Sequence, residues 1–302
     1  MNIYKKFYVL LIILFSQQIF SQNDFIVIDS LTKKGLPFVG IYFENTGIYT
    51  DENGKFQMNS VNTDSLKVEL LGYKSKNISI KTIQDTIYLE KENIKLPSIT
   101  LQGNKKRIEI PSNKKTRDHS SFPLSPKTTL FSILLPKEKY QDKKLEEITL
   151  SFRKDYSTRI RKRYKKNNIS AIVRIHIYNI KDEVLKSAIY NSDVNEVKLS
   201  ENQEIKVDLA KENVFFEREG IAIEVEVIKY ISDKDISEEI DKTYIRASLT
   251  DEENQFFTAE TFLKSTFRKE NNITPLNEIL NYAKKPNKKY YNRNLRIGMI
   301  LK

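Results

Sequence analysis

The sequence predicts an all-β protein made of two β-sandwich domains. Three observations support this fold class: apolar residues recur at a spacing of two, the apolar runs are short, and turn residues separate them. The chain has 302 residues, which allows one or two domains of ordinary size. Its 16 Phe and 16 Tyr supply enough large apolar side chains to argue against global disorder.

The first 21 residues have the layout of a secretory signal peptide. Lys5 and Lys6 form a positive segment, an apolar run follows at 7–15, and Ser21 suits the cleavage position. This run is too short for a helix that spans about 30 Å of hydrocarbon. We therefore expect residues 1–21 to be removed. The chain from about Gln22 is expected to be exported to the periplasm or cell surface, with no transmembrane segment.

The absence of Cys from the sequence excludes several kinds of chemistry. Disulfide frameworks, thiol nucleophiles, Cys-based zinc sites and iron–sulfur clusters all need this residue. A lipid anchor on a signal-peptide cysteine is excluded as well, so we do not expect a lipoprotein. The two His residues, His119 and His176, leave little room for a histidine-built metal site, and the sequence implies no cofactor.

Residues 22–101 are predicted to form the first sandwich from six or seven short strands. Candidate strands lie at 25–28, 36–43, 66–70, 78–80 and 87–89. The run at 49–56 contains Asn53-Gly54, a pair typical of a tight hairpin turn, and it adds two more strands.

The first domain also contains a set of short motifs in a characteristic order. They are Asp29, Gly35-Leu36-Pro37-Phe38-Val39, Thr50-Asp51-Glu52-Asn53-Gly54-Lys55-Phe56, Leu70-Leu71-Gly72-Tyr73 and a closing run at 96–101. This stretch resembles the carboxypeptidase-regulatory-like domain, a transthyretin-like sandwich common in exported proteins of Bacteroidetes. The resemblance covers about a quarter of the chain. It implies that the motif residues serve turn geometry and packing, and that none of them is catalytic.

The family name raises the question of zinc carboxypeptidase activity. Such enzymes bind zinc through a His-x-x-Glu pair and a later His. His119 is followed three residues later by Phe122, and His176 by Asn179, so neither position fits. The chain also leaves no room for a separate peptidase domain. We therefore expect no carboxypeptidase activity.

Residues 102–127 are predicted to be a basic linker, and residues 128–302 a second sandwich of jelly-roll type. The linker has three Pro, seven basic residues and little apolar periodicity. Alternating segments beyond it supply eight or nine strands, at 148–152, 171–178, 205–209, 221–227, 244–249, 255–259 and 295–301 among others. A short helix is expected at 274–282, with Thr274 as N-cap and Pro275 at the first position.

The alternation in this second region is similar to that of the all-β carboxy-terminal part of exported Bacteroidetes proteins that carry a regulatory-like domain. The similar segments lie at 171–178, 205–209 and 220–226. This resemblance rests on patterning rather than on chemistry, so it implies a fold and no activity.

Two glutamates and one histidine are the candidates for chemistry in the second domain. Glu224 and Glu226 share a strand face, with Cα atoms about 6.5–7 Å apart, which lies in the range of paired glycosidase carboxylates. A solvent-facing row paired with Lys or Arg on adjacent strands is the alternative interpretation. His176, between Arg174 and Tyr178, could contact a sugar hydroxyl or a metal, although a lone His on a polar strand face is more often simply exposed.

The net charge of +11 is concentrated in three runs, at 102–127, 153–166 and 284–302. The second run interleaves eight cations with two Tyr. For an exported protein we expect anionic lipid head groups, lipopolysaccharide or acidic glycans as partners rather than nucleic acid. The candidate contacts are Arg159, Arg161, Lys162, Arg163, Lys165 and Lys166. A solvated hairpin loop is the alternative interpretation.

The sequence therefore favours an exported, non-catalytic binding or assembly module of the bacterial periplasm or cell envelope. Envelope proteins, anionic lipid head groups and glycans are its expected partners. Two alternatives stay open: a carbohydrate-binding accessory protein, and a glycan hydrolase that uses Glu224 and Glu226. Aromatic residues exposed on a sheet face would favour the carbohydrate-binding alternative.

Overall fold

A computed structural model gives the fold of the chain. It describes residues 24–44, 46–58, 63–92, 106–112, 121–126, 128–154, 169–181, 184–232, 245–251, 253–266, 273–282 and 293–302. The chain divides into two compact units, one within residues 1–93 and the other within residues 94–302. The expected signal peptide at 1–21 and the closing run at 96–101 lie outside the described residues.

The first unit contains seven described strands in two sheets. They are β1 (Asp24–Asp29), β2 (Gly40–Phe43), β3 (Thr46–Tyr49), β4 (Lys55–Gln57), β5 (Ser65–Glu69), β6 (Lys76–Ser79) and β7 (Thr86–Leu89). The strand orders are β4-β1-β7 and β3-β2-β5-β6. Paired strands run antiparallel, except that β1 and β7 run parallel.

Alternating side chains build the core of this unit. In β5, Leu66 and Val68 are buried while the residues on either side of them are exposed. They share one apolar cluster with Val27 of β1, Ile41 of β2 and Leu89 of β7, so both sheets contribute to it. The first unit is therefore the predicted β-sandwich.

The hairpin predicted at 49–56 is wrong, although its turn is present. Strand β3 pairs with β2, and strand β4 pairs with β1, so the turn joins the two sheets instead of two paired strands. The N–H groups of Asn53 and Lys55 both donate to Asp51 Oδ1 at 2.8 Å, which fixes the bend. Gly54 then adopts a φ of 81°, and its carbonyl accepts the N–H of Val27 at 2.8 Å.

The second unit contains fifteen described strands and one short helix. The strands are β8 (Ile108–Ile110), β9 (Ser121–Leu124), β10 (Thr128–Pro136), β11 (Lys143–Arg153), β12 (Ser170–Lys181), β13 (Val184–Asn191), β14 (Asn195–Lys198), β15 (Gln203–Asp208), β16 (Phe215–Phe216), β17 (Ile221–Ile231), β18 (Ile245–Thr250), β19 (Phe257–Ser265), β20 (Ile273–Pro275), β21 (Asn294–Leu295) and β22 (Ile297–Leu301). The helix α1 (Leu276–Tyr282) follows β20.

These strands form two antiparallel sheets, here called the front sheet and the back sheet. The front sheet has the order β13-β12-β17-β10-β19-β20, with β14 also paired to β12. The back sheet has the order β21-β18-β11-β22-β8, with β15 and β16 also paired to β11 and β9 to β18. Val173 and Val225 of the front sheet share one buried cluster with Ile148 and Met299 of the back sheet. The second unit is thus a two-sheet, jelly-roll-like sandwich, and the fold class is all-β.

The segment predicted as a linker supplies two strands of the back sheet. Strand β8 pairs with β22, and strand β9 pairs with β18. Their apolar residues Ile110 and Leu124 are 2% and 0% exposed. These strands were missed because each contains only two alternating apolar residues among cations and prolines, which is too short a pattern to stand out.

The predicted helix is present but begins one residue after Pro275, its expected first position. Residues 273–275 extend as β20 and pair with β19, and α1 therefore begins at Leu276. Among the described residues, no helix has the length and apolar character that crossing a bilayer requires.

Candidate functional site

Four charged or titratable side chains lie together on the outer face of the front sheet. Successive strand residues point to opposite faces, and the odd-numbered residues of β12 up to Ile177 and of β17 up to Val227 fill the core. The even-numbered residues Arg174, His176, Glu224 and Glu226 therefore share the other face. Strand register places Arg174 opposite Glu226 and His176 opposite Glu224. These four residues, with the partners described next, are here called the front-sheet network.

His176 bridges two acceptors within this network. Its Nε2 lies 3.0 Å from Glu226 Oε2, and its Nδ1 lies 2.5 Å from Asn191 Oδ1. Arg174 Nη1 approaches the same Glu226 oxygen at 4.0 Å. Because both partners of the imidazole are acceptors, the geometry suits the protonated ring, in which both nitrogens donate.

Glu224 is held by three donors from three different strands. Thr129 Oγ1 donates to its Oε1 at 2.8 Å, and Tyr178 OH donates to its Oε2 at 2.5 Å. Lys264 Nζ lies 3.5 Å from Oε1. Both oxygens of this buried carboxylate therefore have protein partners.

The pKa of His176 is raised by this environment. Burial acts to lower it, because desolvation disfavours the charged ring. The hydrogen bond and the charge of Glu226, helped by the charge of Glu224, outweigh burial and the nearby Arg174. The imidazolium is thus the form that the network stabilises.

Burial and hydrogen bonding together bear on both interpretations of the glutamate pair. Glu224 is 6% exposed and Glu226 is 8% exposed, so the row does not face solvent, although Glu226 is paired with Arg174 of the adjacent strand as that interpretation predicts. His176, at 9%, is not exposed either. The pair does share a face, but each carboxylate is engaged by the protein's own donors, an arrangement typical of a polar network that orients strands. Within the described ranges, no group of three or more His, Cys, Asp or Glu side chains is placed to hold a metal ion.

A pocket of about 300 Å³ with both polar and apolar lining residues lies at the back sheet. It is here called the arginine pocket, and its lining includes Ser151, Arg153, Asn202, Glu204, Ser248 and Arg296. Leu150 and Phe152 of β11 point into the core, so Ser151 and Arg153 point outward between them. Serine, amide and guanidinium groups from separate segments of the chain thus converge on one cavity.

Strand register brings like charges together beside this pocket. Arg153 of β11 lies directly opposite Arg246 of β18, so the two side chains share a face. The N–H of Arg296 donates to the carbonyl of Ser248, which places a third arginine next to the same strand. Arg246 is tied down, since its Nε donates to Ser121 Oγ at 3.0 Å.

Arg296 is also held by hydrogen bonds, but these do not involve every one of its donor groups. Its Nη2 donates to the carbonyl and to the Oγ of Ser112, each at 3.2 Å. Its Nε is enclosed and has no hydrogen-bond partner among the described residues. Glu204 Oε1 accepts Ser151 Oγ at 3.1 Å, and of the described lining residues it alone carries a carboxylate. Positive charge therefore exceeds negative charge around the cavity.

The motif residues of the first unit form structural ties. Tyr73 OH donates to Asp29 Oδ2 at 2.8 Å, while the N–H groups of Leu31 and Thr32 donate to Asp29 Oδ1 at 2.8 Å. Thr50 Oγ1 donates to the carbonyl of Leu36 at 2.8 Å. The two motifs that contain Asp29 and Tyr73, 44 residues apart, are thus in direct contact.

These donors hold Asp29 as a carboxylate. The backbone N–H of Thr32 contributes most, followed by Tyr73, and together with Leu31 they outweigh burial and lower the pKa of Asp29 to about 2. Burial and the same hydrogen bond raise the pKa of Tyr73 to about 12. The motif residues therefore serve turn geometry and packing.

The sequence-predicted contacts of the basic run lie outside the described residues. They are Arg159, Arg161, Lys162, Arg163, Lys165 and Lys166, and the same holds for His119. Sequence reasoning missed Thr129, Asn191 and Lys264 as partners in the front-sheet network, because these pairings need strand register. It also missed the arginine pocket, although Arg153 and Arg296 belong to two of the basic runs that the sequence singles out.

Comparison with known proteins characterises the first unit. A search of curated proteins gives no match to the chain. Residues 26–105 match the family model of the CarboxypepD_reg-like domain, a module that is not itself catalytic. Together with the sandwich fold and the contacts of the motif residues, this match identifies the amino-terminal part of the chain as a CarboxypepD_reg-like domain.

Proposed function

We propose that this protein is an exported, non-catalytic binding module of the bacterial cell envelope. The CarboxypepD_reg-like domain spaces or docks the chain, and the second sandwich carries the ligand surface. The observation that carries the proposal is the arginine pocket, in which hydroxyl, amide and guanidinium groups from separate segments of the chain converge on a cavity of about 300 Å³.

The front-sheet network counts against the hydrolase alternative. A glycosidase needs two carboxylates that can reach the sugar and a water. Here Glu224 is engaged by Thr129, Tyr178 and Lys264, and Glu226 by His176. Hydrolysis of a panel of glycosides by the wild type, lost in E224Q, would contradict the non-catalytic proposal.

The described surface also bears on the carbohydrate-binding alternative. Sugar-binding faces commonly present exposed aromatic rings for stacking. Among the described residues of the second unit, the large apolar side chains that are exposed are Leu135 and Val194, and neither is aromatic. On the described part of this sandwich, a sugar ligand would therefore be held by polar groups rather than by stacking.

The basic run at 153–166 is the second segment that we propose to contact an envelope ligand. Its cations would attract anionic lipid head groups, lipopolysaccharide or acidic glycans of the envelope. Neutralising Arg159, Arg161, Lys162 and Arg163 should weaken envelope binding and flatten its dependence on salt. Neutralising four exposed lysines elsewhere, Lys55, Lys81, Lys137 and Lys211, is the matched control.

Fractionation and crosslinking in the native bacterium test the proposal as a whole. We expect the protein in the periplasmic or envelope fraction, with an amino terminus near residue 22, and crosslinked reproducibly to envelope components. Recovery in the cytoplasm with an intact amino terminus, or crosslinking to no envelope component, would contradict it.

A further inference from the structure

We propose that a groove beside strand β19 docks an extended segment of a partner protein that carries Lys or Arg among apolar residues. The groove has a volume of about 500 Å³, and its lining includes Ile133, Leu135, Thr258, Ala259, Glu260 and Glu278. It is here called the β19 groove. It lies at the front sheet, whereas the arginine pocket lies at the back sheet, so it is an interaction surface beyond that of the proposed function.

An unpaired strand edge is the first argument for a peptide. Strand β19 pairs with β10 along its whole length, but with β20 only at 262–264. Within the described part of the chain, residues 257–261 therefore have no strand partner on that side. Because successive side chains point to opposite faces, the consecutive residues 258–260 can line one cavity only where it reaches the strand edge. Unpaired backbone groups at such an edge can pair with an added strand.

The helix that follows β20 leaves space at this edge. Leu276, the first residue of α1, is 0% exposed and belongs to the core of the second unit. The next two residues, Asn277 and Glu278, line the β19 groove together with residues 258–260 of β19. The cavity of about 500 Å³ therefore lies between the helix and the strand. A helix is a common cover for a strand edge, but here a gap for a further chain remains between the two.

The charge of the β19 groove favours a cation. Glu260 and Glu278 are both exposed, and none of the described lining residues is a Lys, Arg or His. Among the described residues, neither carboxylate has an ion-pair or hydrogen-bond partner. A Lys or Arg of the partner would supply the missing positive charge.

The apolar part of the groove requires more than a cation. Leu135 is 45% exposed, and Ile133 lies two residues before it on the same face of β10. Strand register places Ile133 opposite Glu260 and Leu135 opposite Thr258. A polyamine would leave Leu135 in water, whereas an apolar side chain of a peptide would cover it. An extended peptide with both basic and apolar residues matches all three features.

Isothermal titration calorimetry of the full protein in about 150 mM salt tests this assignment with four probes. The octapeptide acetyl-KKVVKKVV-amide presents Lys and Val alternately on each face when it is extended. Acetyl-QQVVQQVV-amide removes the charge, and acetyl-KKSSKKSS-amide removes the apolar side chains. Spermine keeps the four positive charges without a peptide backbone. We expect the first peptide to bind at least about threefold more tightly than each of the other probes.

Variants of the groove and amide hydrogen exchange locate the binding. The double variant E260Q/E278Q should weaken binding of the first peptide by about threefold to tenfold. The matched control E196Q/E201Q removes two exposed glutamates in and after β14, and it should change the affinity less than about twofold. In the wild type, adding the peptide should slow amide exchange at 257–261. Circular dichroism checks that each variant folds.

Four results would overturn the assignment. They are no binding of the first peptide at about 1 mM, equal binding of any other probe, unchanged affinity in folded E260Q/E278Q, and unchanged exchange at 257–261.

Two other occupants of the groove are further outcomes that would overturn it. A second copy of the chain is the occupant if the wild type sediments as a dimer that E260Q/E278Q dissociates. The chain's own basic run is the occupant if changing the four lysines of 284–289 to Gln tightens binding of the first peptide by more than about tenfold. The matched control makes the same change at four exposed lysines elsewhere, Lys55, Lys76, Lys81 and Lys211.

Discussion

At the level of single residues, His176 links the protonation of the protein to its stability. Its pKa in the folded protein is raised above 6.5 by Glu226 and Glu224, against the opposing effects of burial and Arg174. A raised pKa means that the folded state binds the proton more tightly than the unfolded chain does. The stabilisation is therefore complete below the unfolded pKa and disappears as the pH rises through the folded pKa.

We predict that H176Q lowers the free energy of unfolding more in acid than in alkali. The loss should be about 1–3 kcal/mol near pH 5.5, where the wild type makes a charge-assisted hydrogen bond to Glu226, and smaller near about pH 9. Chemical denaturation followed by circular dichroism measures both values.

The second histidine provides a control for this prediction. The chain contains two His residues, so the imidazole NMR spectrum holds two sets of signals, and H119Q assigns them. The signal of His176 should titrate above pH 6.5. A loss in H176Q that is equal at both pH values, or larger in alkali, would contradict the role given to the network.

For Asp29 we predict the opposite pH dependence, because its contribution to stability is lost in acid. Hydrogen bonds from Thr32, Tyr73 and Leu31 lower its pKa from 3.8 to about 2. Its stabilisation is therefore present above the unfolded pKa and is lost as the pH falls through the folded pKa. D29N should destabilise the first unit near neutral pH, and the difference from the wild type should shrink between about pH 4 and pH 2.

Acid titration of the unfolding transition, with D64N as the control, tests this prediction. Asp64 is an exposed aspartate of the same unit, so D64N should leave the transition close to that of the wild type. Y73F should give a smaller loss than D29N, since Asp29 keeps its two backbone donors in that variant. A difference between D29N and the wild type that is unchanged at pH 2 would show that the charge of Asp29 contributes nothing.

At the level of elements, two glycines of the first unit distinguish the backbone requirement for glycine from the steric one. Gly54 lies in the turn between β3 and β4, and Gly72 lies in the turn after β5. Gly54 and Gly72 have similar positive φ angles, 81° and 79°. A Cβ on Gly54 would lie 2.5 Å from the carbonyl oxygen of Val27, whereas a Cβ on Gly72 would meet no atom within 4 Å. The first position has both a backbone and a steric requirement, and the second has the backbone requirement alone.

We therefore predict that G54A destabilises the first unit more than G72A does. G72A should cost about 1–2 kcal/mol, the usual penalty for an L-residue in the left-handed region. G54A should cost clearly more, because the backbone of β1 must also move. Urea denaturation of the two variants gives the comparison, and equal losses would show that the contact with Val27 relaxes without cost.

The alternation of side chains predicted most strands, and its failures have physical causes. Long alternating runs such as those of β12 and β17 were predicted because one face is buried in the core. Strand β10 was not predicted, since apolar side chains on both of its faces remove the alternation. Asn53-Gly54 correctly indicated a turn, but a turn motif does not specify which strands pair on either side of it.

The candidate site could be predicted only in part for the same reason. The two-residue period of a β-strand predicts from the sequence alone that Glu224 and Glu226 share one face. Whether that face is covered depends on the rest of the chain, so their burial could not be predicted. The pairing of Arg153 with Arg246 depends on register between strands almost a hundred residues apart, about which composition and local pattern carry no information.

At the level of the whole molecule, the two units have separate hydrophobic cores. One core contains Leu66 of β5, and the other contains Ile223 of β17. A chain with two independent cores does not have a single free energy of unfolding, so each unit must be assigned its own value. Amide hydrogen exchange makes this assignment, because it reports stability segment by segment.

We predict that a cavity in one core weakens protection in that unit alone. Leu66 is 1% exposed and Ile223 is 0% exposed, so L66A and I223A should each cost about 2–5 kcal/mol. In L66A, exchange should accelerate in peptides from residues 24–92 and stay unchanged in peptides from residues 106–302, with the reverse pattern in I223A. The exposed variant K81A should change neither set. Faster exchange throughout the chain in either core variant would show that the two units unfold as one cooperative body, and the stability of the CarboxypepD_reg-like domain would then depend on the second sandwich.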